Sequence, residues 1–387
     1  MDKFSNKAKK FLSSTKDLQY LSVANISGKV IAGVFWFYVA TLMEAEEYGQ
    51  ISYLIAIAVM ATRISLIGSG QTITVYLAKK IPIHTPLIII TTTLSVISSI
   101  VVYIIFQEVV LSIYIISMMF YDTALGSLLG KKQFKKYSGY FIVQKICSVI
   151  FGLTLYFLLG PIGLILGIGL SFLILLPIII GSFKTSKIDF SLIKPRFGFM
   201  MNNYGLTIEK IFGGQIDKIL ILPILGFATV GNFHLGFQVL SVMLILPGIV
   251  FQYTLPRDAS GISNRKIKKI TIIISIIFAV MGIVLAPIIL PTMFPKYEEV
   301  VEIVQIMSIF IIPNAINTAL ISNYLGKEKS KIVLIGQSIS IVTYVLGILS
   351  LGPELGINGI AFAYVLSGIV QSIFYIIYKK KYEKKQI

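Results

Sequence analysis

Long apolar stretches separated by short charged segments run along almost the whole chain. A helix that crosses a bilayer needs about 20 mostly apolar residues, and about twelve stretches reach that length. Two of them are separated only by Gln107-Glu108. We therefore predict an all-α integral membrane fold with about twelve transmembrane helices. The predicted spans are residues 19–43, 49–78, 86–106, 109–129, 137–159, 163–183, 202–225, 231–255, 270–294, 300–324, 332–351 and 356–378.

The charged residues indicate which loops face the cytoplasm. Basic residues number 34 and acidic residues 17, a net charge of +17, yet charged residues make up only 13% of the chain. Outside the spans, lysine and arginine cluster at both ends and in every second loop, whereas glutamates dominate the other loops. Cytoplasmic loops carry the excess of basic residues, so both termini are predicted to be cytoplasmic and the protein to lie in the cytoplasmic membrane. The same distribution argues against a nucleic-acid partner, because the positive charge marks topology.

Three pairs of similar segments indicate an internal repeat. The segment LGKKQF at Leu129 corresponds to LGKEKS at Leu325, at an offset of 196 residues, and LGPIG at Leu159 corresponds to LGPELG at Leu351, at an offset of 192. The segments EEYGQISY and ATVGNFHL correspond at an offset of 182. Their common order favours two related halves.

The repeat predicts two bundles of six helices. They are an N-terminal bundle over residues 1–183 and a C-terminal bundle over residues 202–387, joined by a cytoplasmic linker at 184–201. An even number of spans gives both bundles the same orientation. Two such bundles around a cleft suit transport by alternating access.

Charged residues inside the predicted spans are candidates for function, because ionised groups in a membrane normally face protein or water. Arg63 lies midway along its span and shares a face with Gln71, and Gly68 follows where the helix could bend. Arg63 could contact a ligand or form a structural ion pair. Lys29 lies on a polar face with Asn25.

Lys210 occupies the place related to Lys29 in the second half. Lys29, Lys210 and Lys145 could line the cavity or extend to the cytoplasmic surface. The acidic Asp122, Glu209 and Asp217 could pair with cavity cations, couple a proton, or be incidental. Lys218 follows Asp217 and is expected to point in a different direction. The predicted charge-pairing or coupling residues are Asp122, Glu209, Asp217 and Lys218, and the predicted substrate-binding residues are Lys29, Arg63, Lys210, Lys145, Asn25 and Gln71.

These residues predict a cationic cavity that binds an anionic group such as phosphate. Helix breaks are expected at Pro247 and Pro313. With one cysteine and two distant histidines, neither a disulfide nor a metal cluster is expected. No cofactor is expected either.

Several segments resemble those of the multidrug/oligosaccharidyl-lipid/polysaccharide (MOP) superfamily. They include EEYGQISYLIAIA, LGKKQFKKYSGYFIVQK and GPELGINGIAFAYVLSGIVQS. The chain looks most like the Wzx-type polysaccharide and oligosaccharide flippases of that superfamily. The resemblance implies a MATE-like pair of bundles that transfers a glycan linked to a polyprenyl phosphate or pyrophosphate across the membrane, with Arg63 and Lys29 in the role of head-group contacts.

Membrane lipid and glycan-assembly enzymes are the other partners that the resemblance implies. It implies a transporter with no catalytic residue. A cation-coupled multidrug exporter is the main alternative, although the first span carries Lys29 and no acidic residue. A lipid II flippase and a membrane glycan polymerase or ligase are further alternatives.

Overall fold

The computed structural model describes residues 2–185, 188–261 and 264–383, and in these ranges all side chains except those of residues 2–18, 185, 206, 208–214, 256, 382 and 383. The described residues are almost entirely helical and include no β-strand, which confirms the all-α prediction. The helices are α1 (Asp2–Leu42), α2 (Ala45–Ser65), α3 (Ser69–Ala78), α4 (His84–Phe106), α5 (Val109–Gly130), α6 (Phe134–Leu159), α7 (Pro161–Phe172), α8 (Leu176–Thr185), α9 (Phe197–Met243), α10 (Ile245–Ala259), α11 (Arg265–Met293), α12 (Val300–Ser308), α13 (Ile311–Gly326) and α14 (Ser330–Glu383).

Many of these helices suit a membrane. By length and composition, eight of the described helices could cross one, or up to ten if each of two bent helix pairs forms a single span. Helices α4, α6 and α11 each carry many exposed large apolar side chains. Such surfaces are expected where a helix contacts lipid tails. The architecture is that of a multi-pass membrane protein.

The shortest predicted loop is present. Helix α4 ends at Phe106 and α5 begins at Val109, with Gln107 in the left-handed conformation at φ 57°. The N–H of Gln107 still donates to the carbonyl of Tyr103 at 2.8 Å. One residue with positive φ therefore ends α4 and lets the chain reverse within two residues.

The predicted helix breaks are also present, and each lies a few residues before its proline. Helices α12 and α13 meet at an angle of 41°, and α13 begins two residues before Pro313. Helix α10 begins two residues before Pro247, after an interruption at Leu244. A proline ring clashes with the carbonyl four residues earlier, so the distortion appears on the N-terminal side of the proline.

The internal repeat is visible in the backbone, and its register corrects one of the sequence matches. Helices α6 and α7 meet at Gly160 (φ 75°), and the two arms of α14 meet at Gly356 (φ 60°), 196 residues later. After each turn comes a glycine, Gly163 or Gly359, where an added Cβ would overlap a carbonyl of the preceding arm. Matching the prolines in LGPIG and LGPELG gives an offset of 192. That offset is wrong by about one helical turn. The residue that must match is the glycine with positive φ, because the turn constrains its backbone conformation.

A second pair of turns has the same offset of 196. Lys132 (φ 57°) follows α5 and Glu328 (φ 59°) follows α13. Each turn has the hydrogen bonds of a Schellman motif. In the first turn the N–H of Gln133 donates to the carbonyl of Leu128 at 2.9 Å, and in the second the N–H of Lys329 donates to that of Tyr324 at 2.8 Å. The repeat therefore extends to the details of helix termination.

Replacing Lys132 with glycine should stabilise the protein. A side chain in the left-handed conformation costs about 1 kcal/mol, and glycine removes that cost. We expect Lys132→Gly to raise the midpoint of thermal unfolding in detergent. Lys131→Gly is the matched control: Lys131 has φ −76°, so glycine there should leave the midpoint unchanged or lower it. A lower midpoint for Lys132→Gly would contradict this account of the turn.

The chain divides into two compact units. Unit 1 comprises Met1–Phe35 and Leu54–Gln215, and unit 2 comprises Trp36–Tyr53 and Ile216–Ile387. Unit 2 thus includes the end of α1 and the start of α2, both from the first half of the chain.

A glycine crossing explains why the start of α2 packs in unit 2. An added Cβ at Gly49 would overlap the carbonyl of Phe227, and one at Gly231 would overlap the carbonyl of Ala45. Gly49 and Gly231 are equivalent positions of the repeat at the offset of 182. The two helix segments therefore cross with their backbones in contact, each glycine against the other helix.

Aromatic side chains surround this crossing in unit 2. The Tyr48 ring lies 5.2 Å from that of His234 and 5.8 Å from that of Tyr297, and Trp36 lies 5.6 Å from His234. Lys296 forms an ion pair with Glu44 at 2.9 Å nearby. These contacts hold residues 36–53 in unit 2.

Candidate functional site

The site in unit 1 begins at the break between α2 and α3. Ile67 and Gly68 both have positive φ, and the two helices meet at 46°. Gly68 lies against the backbone of α9, where an added Cβ would be 2.7 Å from the nitrogen of Tyr204. A side chain at Gly68 is therefore excluded by conformation and by contact. The predicted bend at Gly68 is confirmed.

Small residues bring α3 and α5 together on one side of the break. An added Cβ at Gly126 of α5 would lie 2.6 Å from the carbonyl oxygen of Gly70. The Thr74 hydroxyl donates to the Gly126 carbonyl at 3.1 Å as well as to Gly70 at 2.9 Å. This close packing fixes α5 opposite the C-terminal part of α2.

A cavity of about 760 Å³ lies at the break, between α2, α3, α5, α6 and α9. Its volume is in the range of small-molecule sites. Its walls combine apolar side chains with hydroxyl, amide and charged groups, all of them in unit 1. The lining residues are Val59, Arg63, Leu66, Gly68, Ser69, Gly70, Gln71, Thr74, Val75, Asp122, Leu125, Gly126, Leu129, Tyr137, Asn203, Thr207 and Gln215.

Arg63 and Asp122 form an ion pair in the cavity wall. The Nη1 atom of Arg63 donates to Oδ2 of Asp122 at 2.5 Å. The Arg63 side chain is 36% exposed and that of Asp122 is 16% exposed. The guanidinium has five N–H donors, so the bond to Asp122 leaves it further capacity to bind an anion.

A second cation lies near this pair. Lys145 is half-buried on α6, its ammonium lies 5.6 Å from the centre of the Phe141 ring, and its charge interacts with that of Asp122. Phe141 stacks on Tyr137 of the cavity lining, with ring centres 6.0 Å apart, and it also packs against Gly28 of α1.

The structure brings together some of the residues predicted for the site. Arg63, Gln71 and Asp122 line the cavity. Lys29 and Asn25 are exposed on α1 and are not among the lining residues. The side chains of Glu209 and Lys210 lie outside the described residues. Among the residues that the structure describes, the lining has one basic and one acidic side chain, so its charge is close to balanced.

Asp217 and Lys218 lie in unit 2 and form a buried pair. The Lys218 ammonium lies 3.6 Å from Oδ1 of Asp217, which corrects the expectation that they point in different directions. Both residues are at most 6% exposed. Because a buried charge costs several kcal/mol without a partner, the lysine chain folds back onto its neighbour.

The sequence did not predict a polar cluster at the end of α10 in unit 2. Asp258 forms an ion pair with Lys268 of α11, and it accepts hydrogen bonds from Ser322 at 2.5 Å and Asn264 at 3.0 Å. Lys268 also donates to Asn323 at 2.7 Å. The sequence places Asp258 and Lys268 in a basic loop, and only the packing of α10 on α13 shows that they are buried.

Breaking this pair should destabilise unit 2. Removing one partner of a buried ion pair costs about 3–5 kcal/mol, whereas replacing both with apolar residues costs little or stabilises. We expect Lys268→Met to lower the unfolding midpoint in detergent far more than the double change Lys268→Met and Asp258→Leu. A double variant less stable than the single one would contradict this account.

The same pair predicts a pH dependence. Burial raises the pKa of Asp258, but hydrogen bonds from Lys268, Ser322 and Asn264 outweigh it and lower that pKa below its usual value. A folded-state pKa below the unfolded one means that the ionised carboxylate stabilises the fold above about pH 4. Wild type should therefore lose stability more steeply than the double variant as the pH falls from about 5 to 3.

Comparison with known proteins identifies the fold. No protein-family model and no curated protein sequence matches the chain. A structure of the lipid II flippase MurJ in an inward closed conformation matches with a TM-score of 0.75 and 15% identity, over 94% of this chain and 87% of that chain.

Two further structures are similar. An inward-facing multidrug resistance MATE family transporter of the MOP superfamily has a TM-score of 0.65 and 12% identity, over 94% of this chain and 97% of that one. A MOP superfamily transporter from Pyrococcus furiosus, described as having a binding pocket of reversed polarity, has a TM-score of 0.54 and 12% identity, with 94% and 92% covered.

The chain therefore has the fold of the MOP superfamily transporters, which is MATE-like and MurJ-like. Together with the apolar helices, this defines the class as a multi-pass helical membrane protein with that fold. The similar proteins are transporters and a flippase.

Proposed function

We propose that the protein is a flippase that moves a lipid-linked glycan across the cytoplasmic membrane. The single observation that carries the proposal is the cavity of about 760 Å³ in unit 1, with Arg63 in its wall, in a chain with this fold. Arginine binds phosphate through two parallel hydrogen bonds, so it suits the head group of a polyprenyl phosphate or pyrophosphate.

The other lining groups suit the glycan. Gln71, Asn203, Thr207, Tyr137 and Gln215 offer amide and hydroxyl groups that can donate and accept hydrogen bonds. Apolar side chains complete the wall. A sugar with alternating hydroxyl groups and apolar faces fits such a surface, while the lipid tail remains in the bilayer.

In this proposal the protein has about twelve spans, arranged as six-helix bundles over residues 1–183 and 202–387, with both termini in the cytoplasm. The interruptions at Gly226 of α9 and Gly356 of α14 and the bent pairs α2–α3 and α12–α13 support counting about twelve. The bundles would alternate access to the two leaflets. An inside-negative potential would favour outward movement of an anionic head group by about 2.3 kcal/mol per charge per 100 mV.

A second candidate is a lipid II flippase, favoured by the MurJ match at a TM-score of 0.75. Both candidates handle a lipid-linked glycan and differ in the glycan carried. A multidrug exporter is disfavoured, because a cavity wall with Arg63 offers a lipophilic cation no excess of negative charge.

The proposal can be tested in proteoliposomes. Purified protein would be reconstituted with fluorescent undecaprenyl-diphosphate N-acetylglucosamine under a potassium–valinomycin potential, and dithionite would report the fraction of probe in the outer leaflet. We expect exchange between leaflets faster than in protein-free liposomes. Equal rates would contradict the proposal, and transport of a lipophilic cation alone would favour the exporter.

A further inference from the structure

The cavity arginine already has an anionic partner from the chain itself. Asp122 accepts from Arg63 at 2.5 Å, within the cavity wall. An anion that approaches the guanidinium therefore meets a carboxylate of like charge. The sequence predicted a cationic site, whereas the observed pair is neutral in sum.

Lys145 is an alternative ion-pair partner for the Asp122 carboxylate. Its ammonium lies 5.6 Å from the centre of the Phe141 ring, and Phe141 stacks on Tyr137, which lines the cavity together with Asp122. Lys145 is not within 4.0 Å of any carboxylate that the structure describes. Its aliphatic chain has several rotatable bonds, so its ammonium can change position as the side chain changes rotamer.

We propose that Asp122 is a built-in competitor for Arg63, which transfers to Lys145 when an anionic head group binds the guanidinium. This inference rests on the proposed function, because it concerns the selectivity of the same site. Asp122 and Lys145 are positioning residues in it, and Arg63 makes the contact with the head group.

The exchange would set a charge threshold for binding. A monoanionic phosphodiester, such as the head group of a bulk phospholipid, would take the place of the Asp122 carboxylate beside Arg63. One negative charge then replaces another, so the gain in binding free energy is small. A diphosphate carries more charge on adjacent oxygens, so its attraction to Arg63 can exceed the cost of moving Asp122. Discrimination of this kind works through repulsion of the wrong ligand. It would keep the abundant phospholipids out of the cavity.

The first measurement compares two anions on the purified full-length protein by isothermal titration calorimetry at one pH and one salt concentration. The probes are inorganic pyrophosphate and dihexanoyl phosphatidylglycerol. We expect wild type to bind pyrophosphate and to show no saturable binding of the monoanion. Asp122→Asn should bind pyrophosphate about 10-fold more tightly, equivalent to about 1.4 kcal/mol, and should bind phosphatidylglycerol saturably.

The second measurement is a double-mutant cycle. Lys145→Gln should weaken pyrophosphate binding several-fold when Asp122 is present, because the displaced carboxylate loses its second partner. In the Asp122→Asn background the same change should have a clearly smaller effect, because only the direct attraction between the ammonium and the anion is then lost. Lys135→Gln is the matched control, since it removes one exposed positive charge from the same helix, and Glu328→Gln is the control for loss of one negative charge.

The possible outcomes distinguish the exchange of Asp122 from the anion site itself. Weaker pyrophosphate binding by Asp122→Asn, or an equal effect of Lys145→Gln in both backgrounds, would overturn the exchange and leave the proposed function standing. Binding of pyrophosphate by neither wild type nor Asp122→Asn would overturn the anion site itself. If Asp122→Asn does not fold, Asp122→Ser should show the same gain, and Asp122→Glu should behave as wild type.

Discussion

Arg63→Ala should abolish transport of the proposed lipid-linked glycan substrate while the protein still inserts and folds. The change removes the basic side chain that lines the described cavity. Losing a hydrogen bond between charged groups costs about 1.5–3 kcal/mol of binding, which corresponds to a loss in affinity of about 10-fold to 150-fold. The measurement is the exchange rate of the fluorescent polyprenyl-diphosphate probe in proteoliposomes.

Two controls separate binding from folding. Arg63→Ala leaves Asp122 without its arginine partner, so the double change with Asp122→Ala tests whether a loss reflects instability. Lys135→Ala removes a positive charge from an exposed position on α6 and should leave transport unchanged. Transport at the wild-type rate by Arg63→Ala would contradict a role of Arg63 in binding the head group.

Gly231→Ala should strongly destabilise unit 2. An added Cβ would overlap the carbonyl of Ala45 on α2, so the two helices must separate, and overpacking of this kind costs about 1–3 kcal/mol. Gly49→Ala should have a similar effect, because its Cβ would overlap the carbonyl of Phe227. The measurement is the monodisperse fraction that survives heating in detergent.

A glycine with open space provides the control. Gly248 lies in α10 with no atom within 4 Å of an added Cβ. Alanine favours a helix over glycine by about 1 kcal/mol, so Gly248→Ala should be neutral or stabilising. Equal stability of the Gly231 and Gly248 variants would mean that the crossing is not tightly packed.

The all-α fold and several helix breaks could be predicted from the sequence because their signals are local. The apolar stretches, the two-residue loop at Gln107 and the bend at Gly68 depend on residues that are adjacent in the chain. The register of the repeat was predicted wrongly at one place, because LGPIG and LGPELG share the same Leu-Gly-Pro residues and were aligned on their prolines. The backbone instead requires glycine at Gly160 and Gly356, where φ is positive.

The candidate site could be predicted only in part. The sequence predicts Arg63 and Gln71 on one face of a single span, and both do line the cavity, although they lie on α2 and α3 on either side of the break. The partnership of Arg63 with Asp122 spans 59 residues and depends on the packing of Gly126 against Gly70, which no local pattern shows. The buried Asp258–Lys268 pair was missed for the same reason.

In the proposed function, this protein moves a lipid-linked glycan from the inner to the outer leaflet. The most direct test is the leaflet distribution of polyprenyl-linked glycans in cells from which the gene has been deleted, measured with a membrane-impermeant glycan-modifying enzyme on oriented vesicles. The account predicts that one glycan accumulates on the cytoplasmic leaflet and that wild type, but not Arg63→Ala, restores its export. An unchanged distribution of every lipid-linked glycan after deletion would contradict it.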